Sequence, residues 1–423
     1  MKKKFFASAL VMGLLSACSN DDAVPSGAGS GSTDNGLMPI ELNMKTPVSI
    51  VTRGMGTVGG MADDAANNIW RGETLYFNMY MKKNKDGKDV LEVSTWPNVN
   101  ESGVRKDVAN FDNEPIRITS AEDAEDPTVA KVQWPDSKYY APDASRHDFF
   151  AYRIDDATVD LDAQNRPVIS NEVGASGEIL LQKSVNFEID GSQDLMVGQA
   201  DPQASPDAYS AKSARAGLIP QIKMEHLLTR FTFEVKAGDE SADGLEVKKI
   251  AVVSKSKGRM IVAWHPNSNP GTAGKIVWDE NIEPVEMVLK QRPSAGGNPQ
   301  YLTELEDMTP VTLAWDADKD ANGQVVIPVG EALMVAPYSE EYKVHVTTSQ
   351  PLDGGRTNTF VSEGTISIVE RTSDFEQPTK AAALPGTSYK VTVKLYGLSK
   401  IELETKLTGW VSGENIEVDT ATD

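Results

Sequence analysis

The residues best suited to chemistry are few. The chain has four histidines and a single cysteine, Cys18. One thiol can form no intrachain disulfide, no thiolate zinc site and no iron–sulfur cluster. His147, His226, His265 and His345 lie in separate segments, and none has a second histidine at metal-type i,i+2 or i,i+4 spacing. They read as structural histidines. Asp318, Asp320, Asn322 and Gly323, within residues 316–325, match the first half of an EF-hand calcium loop. Where that loop needs a glutamate there is Val329, and the nearest acid is Glu331. The alternative is an Asn-Gly hairpin turn with solvated aspartates. No nucleophile elbow or phosphate-binding glycine loop occurs. The expectation is therefore a protein that is not an enzyme, with no catalytic residue, no cofactor and no metal.

The cysteine instead reads as an address. Lys2, Lys3 and Lys4 precede the short apolar run Phe5–Leu15, and Leu15-Ser16-Ala17-Cys18 resembles a bacterial lipobox. The expectation is a signal peptide over 1–17 and lipidation of Cys18. The alternative is an ordinary secretory signal with an accidental cysteine. Ser19-Asn20-Asp21-Asp22 resembles a surface-export signal, or is simply a polar linker. Residues 23–36, rich in Gly, Ser and Pro, are linker-like.

With 41 Lys+Arg against 62 Asp+Glu the net charge is −21. Such a surface repels nucleic acid and anionic lipid, so no nucleic-acid partner is expected. Apolar residues make up 39%, enough for a folded core.

The elements that must position anything functional are strands. Leu75, Phe77, Met79 and Met81 alternate with polar neighbours. So do Phe231, Phe233 and Val235; Tyr342, Val344 and Val346; and Tyr389, Val391, Val393 and Leu395. Period-2 alternation marks strands with one buried and one wet face. Turn pairs separate them: Asp86-Gly87, Asp243-Gly244, Asn322-Gly323 and Gly354-Gly355. The reading is all-β, with antiparallel sandwiches. The polar, proline-broken stretch 198–220 places a boundary near 222, giving domains 54–221 and 222–423. Trp134, Trp278 and Trp410 lie in strand-like runs and read as core. Trp70 and Trp96 are the better surface candidates.

Both termini carry strand-like segments. After the linker, Ile40, Leu42 and Met44 alternate, Val48 and Ile50 follow, and Arg53-Gly54 closes the segment. Arginine beside glycine in a loose segment suits an Arg-specific protease, although it could be an ordinary surface arginine. At the far end Ile401, Leu403, Thr405 and Leu407 alternate, followed by Trp410, Val411, Ile416 and Val418.

Several of these pieces, in order, resemble the fimbrillin family of β-rich type V pilins. They are the lipobox at Cys18 and a leader ending at Arg53; Trp134 with Tyr139-Tyr140; and His147-Asp148-Phe149-Phe150-Ala151-Tyr152. Asp194-Leu195-Met196-Val197, Glu225–Phe233, Leu384-Pro385-Gly386-Thr387-Ser388-Tyr389 and Lys406-Leu407-Thr408-Gly409-Trp410 follow. The resemblance implies two tandem antiparallel β-sandwich, transthyretin-like domains. It implies an outer-membrane lipoprotein precursor, held there by its lipid anchor, whose leader is removed by an Arg-specific protease. The leaving strand would be 38–53, with cleavage at Arg53 and Gly54 as the new N-terminus. Another fimbrial subunit would fill the emptied groove with its own donor strand, here about 401–419 (Ile401, Leu403, Leu407, Trp410, Val411, Ile416, Val418). A shaft subunit must both accept and donate, which favours shaft over tip or anchor. The alternative is a monomeric surface lipoprotein binding glycan or host ligand.

Overall fold

The computed structural model describes residues 37–46, 70–99, 105–120, 126, 128–142, 145–201, 205–266, 268, 270–291, 305–321, 323–352, 356–370, 379–397 and 400–408. The all-β reading holds for them. Strands dominate, and the helical elements are two short turns, Ala211–Arg215 and Glu240–Ala242. Pairing is antiparallel in all but two cases among the described residues: Asn43–Lys45 with Gln221–His226, and Thr229–Ala237 with Ser388–Tyr396.

The largest sheet has eight strands. Its order is Lys88–Val93, Arg71–Lys85, Asp148–Arg153, Met196–Ala200, Gln221–His226, Asn43–Lys45 and Val129–Lys131, with Glu114–Thr119 also paired to Arg71–Lys85. The alternation read over 75–81 sets its register. Leu75, Phe77 and Met79 are buried in a core with Ile116, Ile118, Phe149 and Met224. Asp86 and Gly87 close the hairpin into Lys88–Val93 at φ 52° and 78°. Positive φ at both central residues is the primed-turn geometry whose twist suits a hairpin.

A second core fills the space between two sheets farther along the chain. One contains Ile327–Val335, Thr229–Ala237, Ser388–Tyr396 and Lys400–Thr408. The other contains Val285–Val288, Glu246–Ser254, Glu341–Leu352 and Arg356–Ser367. Phe231, Phe233, Val235, Val344, Val346, Val391 and Val393 point into this core, each on the face that alternation assigns it. The chain crosses back between its halves. Ile179–Glu188 pairs with Lys257–Trp264, and Tyr152, Val185 and Phe187 share the second core.

Trp70 corrects the surface expectation. It is fully buried in the first core, and its backbone N–H donates to Ser120 Oγ at 3.0 Å. Trp96 is half-buried against Tyr139, with ring centroids 4.9 Å apart.

Candidate functional site

The described part of the segment read as a leader, residues 37–46, contains an interior strand, while Val48 and Ile50 lie outside the described residues. Asn43–Lys45 pairs in parallel with Gln221–Lys223 on one side and antiparallel with Val129–Lys131 on the other. Its ladder extends past the strand ends. Ile40 N–H donates to Lys138 C=O at 2.9 Å, and Tyr140 N–H to Met38 C=O at 2.9 Å. Val132 N–H donates to Leu42 C=O at 2.9 Å, and Thr46 N–H to Thr128 C=O at 2.9 Å. On the other side Asn43 N–H donates to Pro220 C=O at 3.0 Å.

Side chains alternate as the sequence requires. Ile40, Leu42 and Met44 are at most 3% exposed and join the first core with Phe77, Tyr140, Ile222 and Met224. Burial of three such side chains is worth roughly 5–9 kcal/mol. Glu41 points outward and pairs with Lys131 at 3.1 Å.

One side chain holds the leader by its backbone. Trp134 Nε1–H donates to Ile40 C=O at 3.0 Å. The indole is fixed by stacking on Phe111, centroids 4.0 Å apart, and by an edge contact with Phe77 at 5.5 Å. The core role read for Trp134 is therefore half of its role.

Val129–Lys131 finds its sheet partner only in the leader among the described residues. Taking the leader away would strip one wall of its ladder, expose the opposite wall at Gln221–Lys223, and open the core between them. Another strand would suit such a slot, because it would restore the ladder and cover the apolar core again.

The sequence-derived donor residues divide. Ile401, Leu403 and Leu407 lie on Lys400–Thr408, which pairs antiparallel with Ser388–Tyr396. Leu403 is buried, and Ile401 and Leu407 pack against the second core of their own chain. Trp410, Val411, Ile416 and Val418 fall outside the described residues, as do Cys18, Arg53 and Gly54.

The motif residues Asp194, His226 and Arg230 come together, which sequence alone did not show. Asp194 is fully buried beside His226, with Nδ1 at 3.0 and 3.1 Å from its two oxygens. Arg153 Nη1 lies 3.6 Å from it, and Arg153 Nη2 donates to Asp155 at 3.0 Å. Burial pushes the Asp194 carboxyl up, but His226, Arg153 and Arg230 outweigh it and hold the carboxyl below its ordinary value. Arg230, fully buried, reaches Ser388 Oγ at 3.2 Å. Burial draws its guanidinium down to about 10 against the pull of Asp194 and Glu331, so it stays charged at neutral pH. The cluster staples the strands beside the slot to the strand Ser388–Tyr396.

The acidic loop is a turn. Asp316 accepts from Asp318 N–H at 3.1 Å and pairs with Lys319 at 2.8 Å. Asp320 accepts from Gly323 N–H at 2.8 Å, and the buried Gln324 side chain ties the loop from inside. Asn322 lies outside the described residues. Among those residues no group of His, Cys, Asp and Glu could hold a metal ion. A separate shallow cavity of about 540 Å³ is lined by Trp278, Asn186, Arg259 and Asn281.

No family model matches the sequence, and no curated protein matches it. Solved structures do. A candidate cell adhesion protein from Bacteroides uniformis is 14% identical, with TM-score 0.39, over 90% of this chain and 100% of that one. A candidate adhesin from Bacteroides thetaiotaomicron is 10% identical, with TM-score 0.36, over 91% and 100%. The tip fimbrial protein Mfa3 from Porphyromonas gingivalis, C-terminally truncated, is 9% identical, with TM-score 0.28, over 88% and 100%. The fimbrial anchor protein Mfa2 from Porphyromonas gingivalis is 9% identical, with TM-score 0.30, over 87% of this chain and 98% of that one.

Proposed function

We propose that this chain is a non-enzymatic structural subunit of a cell-surface fimbria. It is exported as a lipoprotein through Cys18, cut after Arg53, and polymerised by strand exchange. The observation that carries the reading is the leader. It fills an interior slot with three alternate apolar side chains, has a hydrogen-bonded wall on each side, and lies just upstream of Arg53-Gly54. A strand so placed is part of the fold before cutting and a vacancy for a partner strand after it.

The donor is the segment beyond Thr408. Its neighbours Ile401, Leu403 and Leu407 are engaged in their own sandwich, so of the donor residues read from the sequence only Trp410, Val411, Ile416 and Val418 are left for the exchange. A chain that both accepts and donates is a shaft subunit. Its partners are other fimbrial subunits and an Arg-specific protease, and its precursor sits in the outer membrane by its lipid. The mature form lies in fimbriae outside the cell and supports adhesion.

The test is chemical. Protein recovered from surface fibres should begin at Gly54 and lack the lipid that its precursor carries on Cys18. Surface protein that keeps Cys18 acylated and residues 19–53 attached would overturn the shaft reading and leave an anchor.

A second reading, a glycan-binding lipoprotein, has one observation in its favour. The 540 Å³ cavity presents the half-buried Trp278 beside Asn186, Arg259 and Asn281. An aromatic residue among amide and charged side chains, Lys257, Asp279 and Glu280 included, suits a sugar ring. The slot accounts for far more of the chain.

A further inference from the structure

The slot specifies what can fill it. Its occupant reads Ile40-Glu41-Leu42-Asn43-Met44-Lys45-Thr46. Ile40, Leu42, Met44 and Thr46 face inward, at 3%, 0%, 0% and 2% exposure. Glu41 faces outward onto Lys131. The slot therefore asks for apolar side chains at the first, third and fifth positions, a small hydroxyl at the seventh and an acid at the second.

The C-terminal sequence Ile416-Glu417-Val418-Asp419-Thr420-Ala421-Thr422 repeats this order. Isoleucine stands first and glutamate second in both. Leucine becomes valine, asparagine becomes aspartate, and threonine closes both. The stretch Ile401-Glu402-Leu403 also opens like the leader, but it is paired to Ser388–Tyr396 and packed in its own core.

We propose that Ile416–Thr422 of a second copy takes the register of Ile40–Thr46. It runs antiparallel to Val129–Lys131 and parallel to Gln221–Lys223, with the Ile416 carbonyl accepting from Trp134 Nε1–H. This rests on the strand-exchange reading and adds the register, the direction and the discriminating position. A slip of one residue turns Glu417 and Asp419 into the core. A slip of two residues either puts Glu414 in the Ile40 site or puts Thr420 and Thr422 in the Leu42 and Met44 sites.

The match fails in one inward place. Thr420 stands where Met44 fills the core, so the self-donor leaves that site underfilled and brings a hydroxyl into it. The Met44 site is the specificity-determining one: a donor with a long apolar side chain there outcompetes this chain's own tail.

Cross-linking tests the register. Asn43 and Lys131 are direct antiparallel partners, and neither side chain is in the core. On a Cys18→Ser chain, Lys131→Cys copies are mixed with Asp419→Cys copies, cut with an Arg-specific protease and oxidised. The expected product is a disulfide-linked dimer with Asp419→Cys, several-fold stronger than with Glu417→Cys or Ala421→Cys. Thr420→Met multimers should dissociate at least about tenfold more slowly. Multimers that cross-link best through 417, 421 or 401–411 would overturn the register and leave strand exchange standing. Unchanged dissociation of Thr420→Met would overturn the role of the Met44 site. Cut protein that forms no multimer would overturn the exchange reading itself, and the register with it.

Discussion

His226 closes the strand Gln221–His226 with its Nδ1 on both oxygens of the buried Asp194, at 3.0 and 3.1 Å. The start of that same strand is the wall of the leader's slot. One strand thus touches the exchange site at one end and the charged staple at the other. Leu227 and Thr229 then carry the chain directly into the second core's central strand.

Asp194→Asn should lower stability by about 3–5 kcal/mol, because it leaves the buried Arg230 and the part-buried Arg153 without their shared anion. The pH dependence has a definite sign. The folded carboxyl lies below its ordinary value, so its contribution is present above about pH 4 and is lost as pH falls through the folded value. Asp155 runs the other way: burial raises its carboxyl, so its charge is a cost at neutral pH. Urea unfolding between about pH 3 and pH 7 should show the wild type losing stability on acidification and Asp194→Asn losing less.

Leu42→Ala should destabilise the uncut protein by about 2–5 kcal/mol, since Leu42 is fully buried in the slot. In contrast, Glu41→Ala, which removes an exposed ion pair, should cost less than about 1 kcal/mol. Chemical denaturation of the two variants side by side checks both.

Trp134→Phe should cost about 1–2 kcal/mol by removing the hydrogen bond to Ile40 while keeping an aromatic ring on Phe111. Trp134→Ala should cost about 3–5 kcal/mol, because the stack goes as well. Equal losses in the two variants would mean that the indole N–H contributes nothing to holding the strand.

Calcium should leave the melting temperature unchanged. The carboxylates of Asp316 and Asp320 are already used within their loop, the first by Lys319 and a backbone N–H, the second by Gly323 N–H. A rise of several degrees in thermal melts with calcium over chelator would favour the ion-binding reading of the loop.

Much of the fold was legible because period-2 alternation reports one buried face directly. The runs at 75–81, 231–235, 342–346 and 389–395 are strands with the assigned residues inside, but Asn78, Tyr80 and Arg230, assigned to the wet face, are buried as well, because those faces are covered too, Tyr80 by Leu91 and Phe150. Pairing was not legible. Residues 43–45 and 221–223 are paired neighbours in the first sheet although they lie far apart in the sequence, and alternation carries no address for a partner. The leader's burial was readable, but its place in the sheet's interior was not. Asp194, His226 and Arg230 appeared as motif pieces, while their convergence depends on three strand ends meeting. Trp70 looked exposed because it follows a polar, glycine-rich stretch, yet Ser120 and the first core enclose it. Leu403 looked like donor because alternation is the same whether a strand serves its own sheet or a neighbour's.

The most direct measurement of strand exchange starts from soluble protein beginning after Cys18. It is cut briefly with an Arg-specific protease and run on an unheated denaturing gel, beside the same protein lacking residues 409–423. The account predicts a new N-terminus at Gly54 and a ladder of multimers that disappears in the truncated chain. A chain cut at Arg53 that remains monomeric, or a ladder that survives loss of the tail, would contradict it.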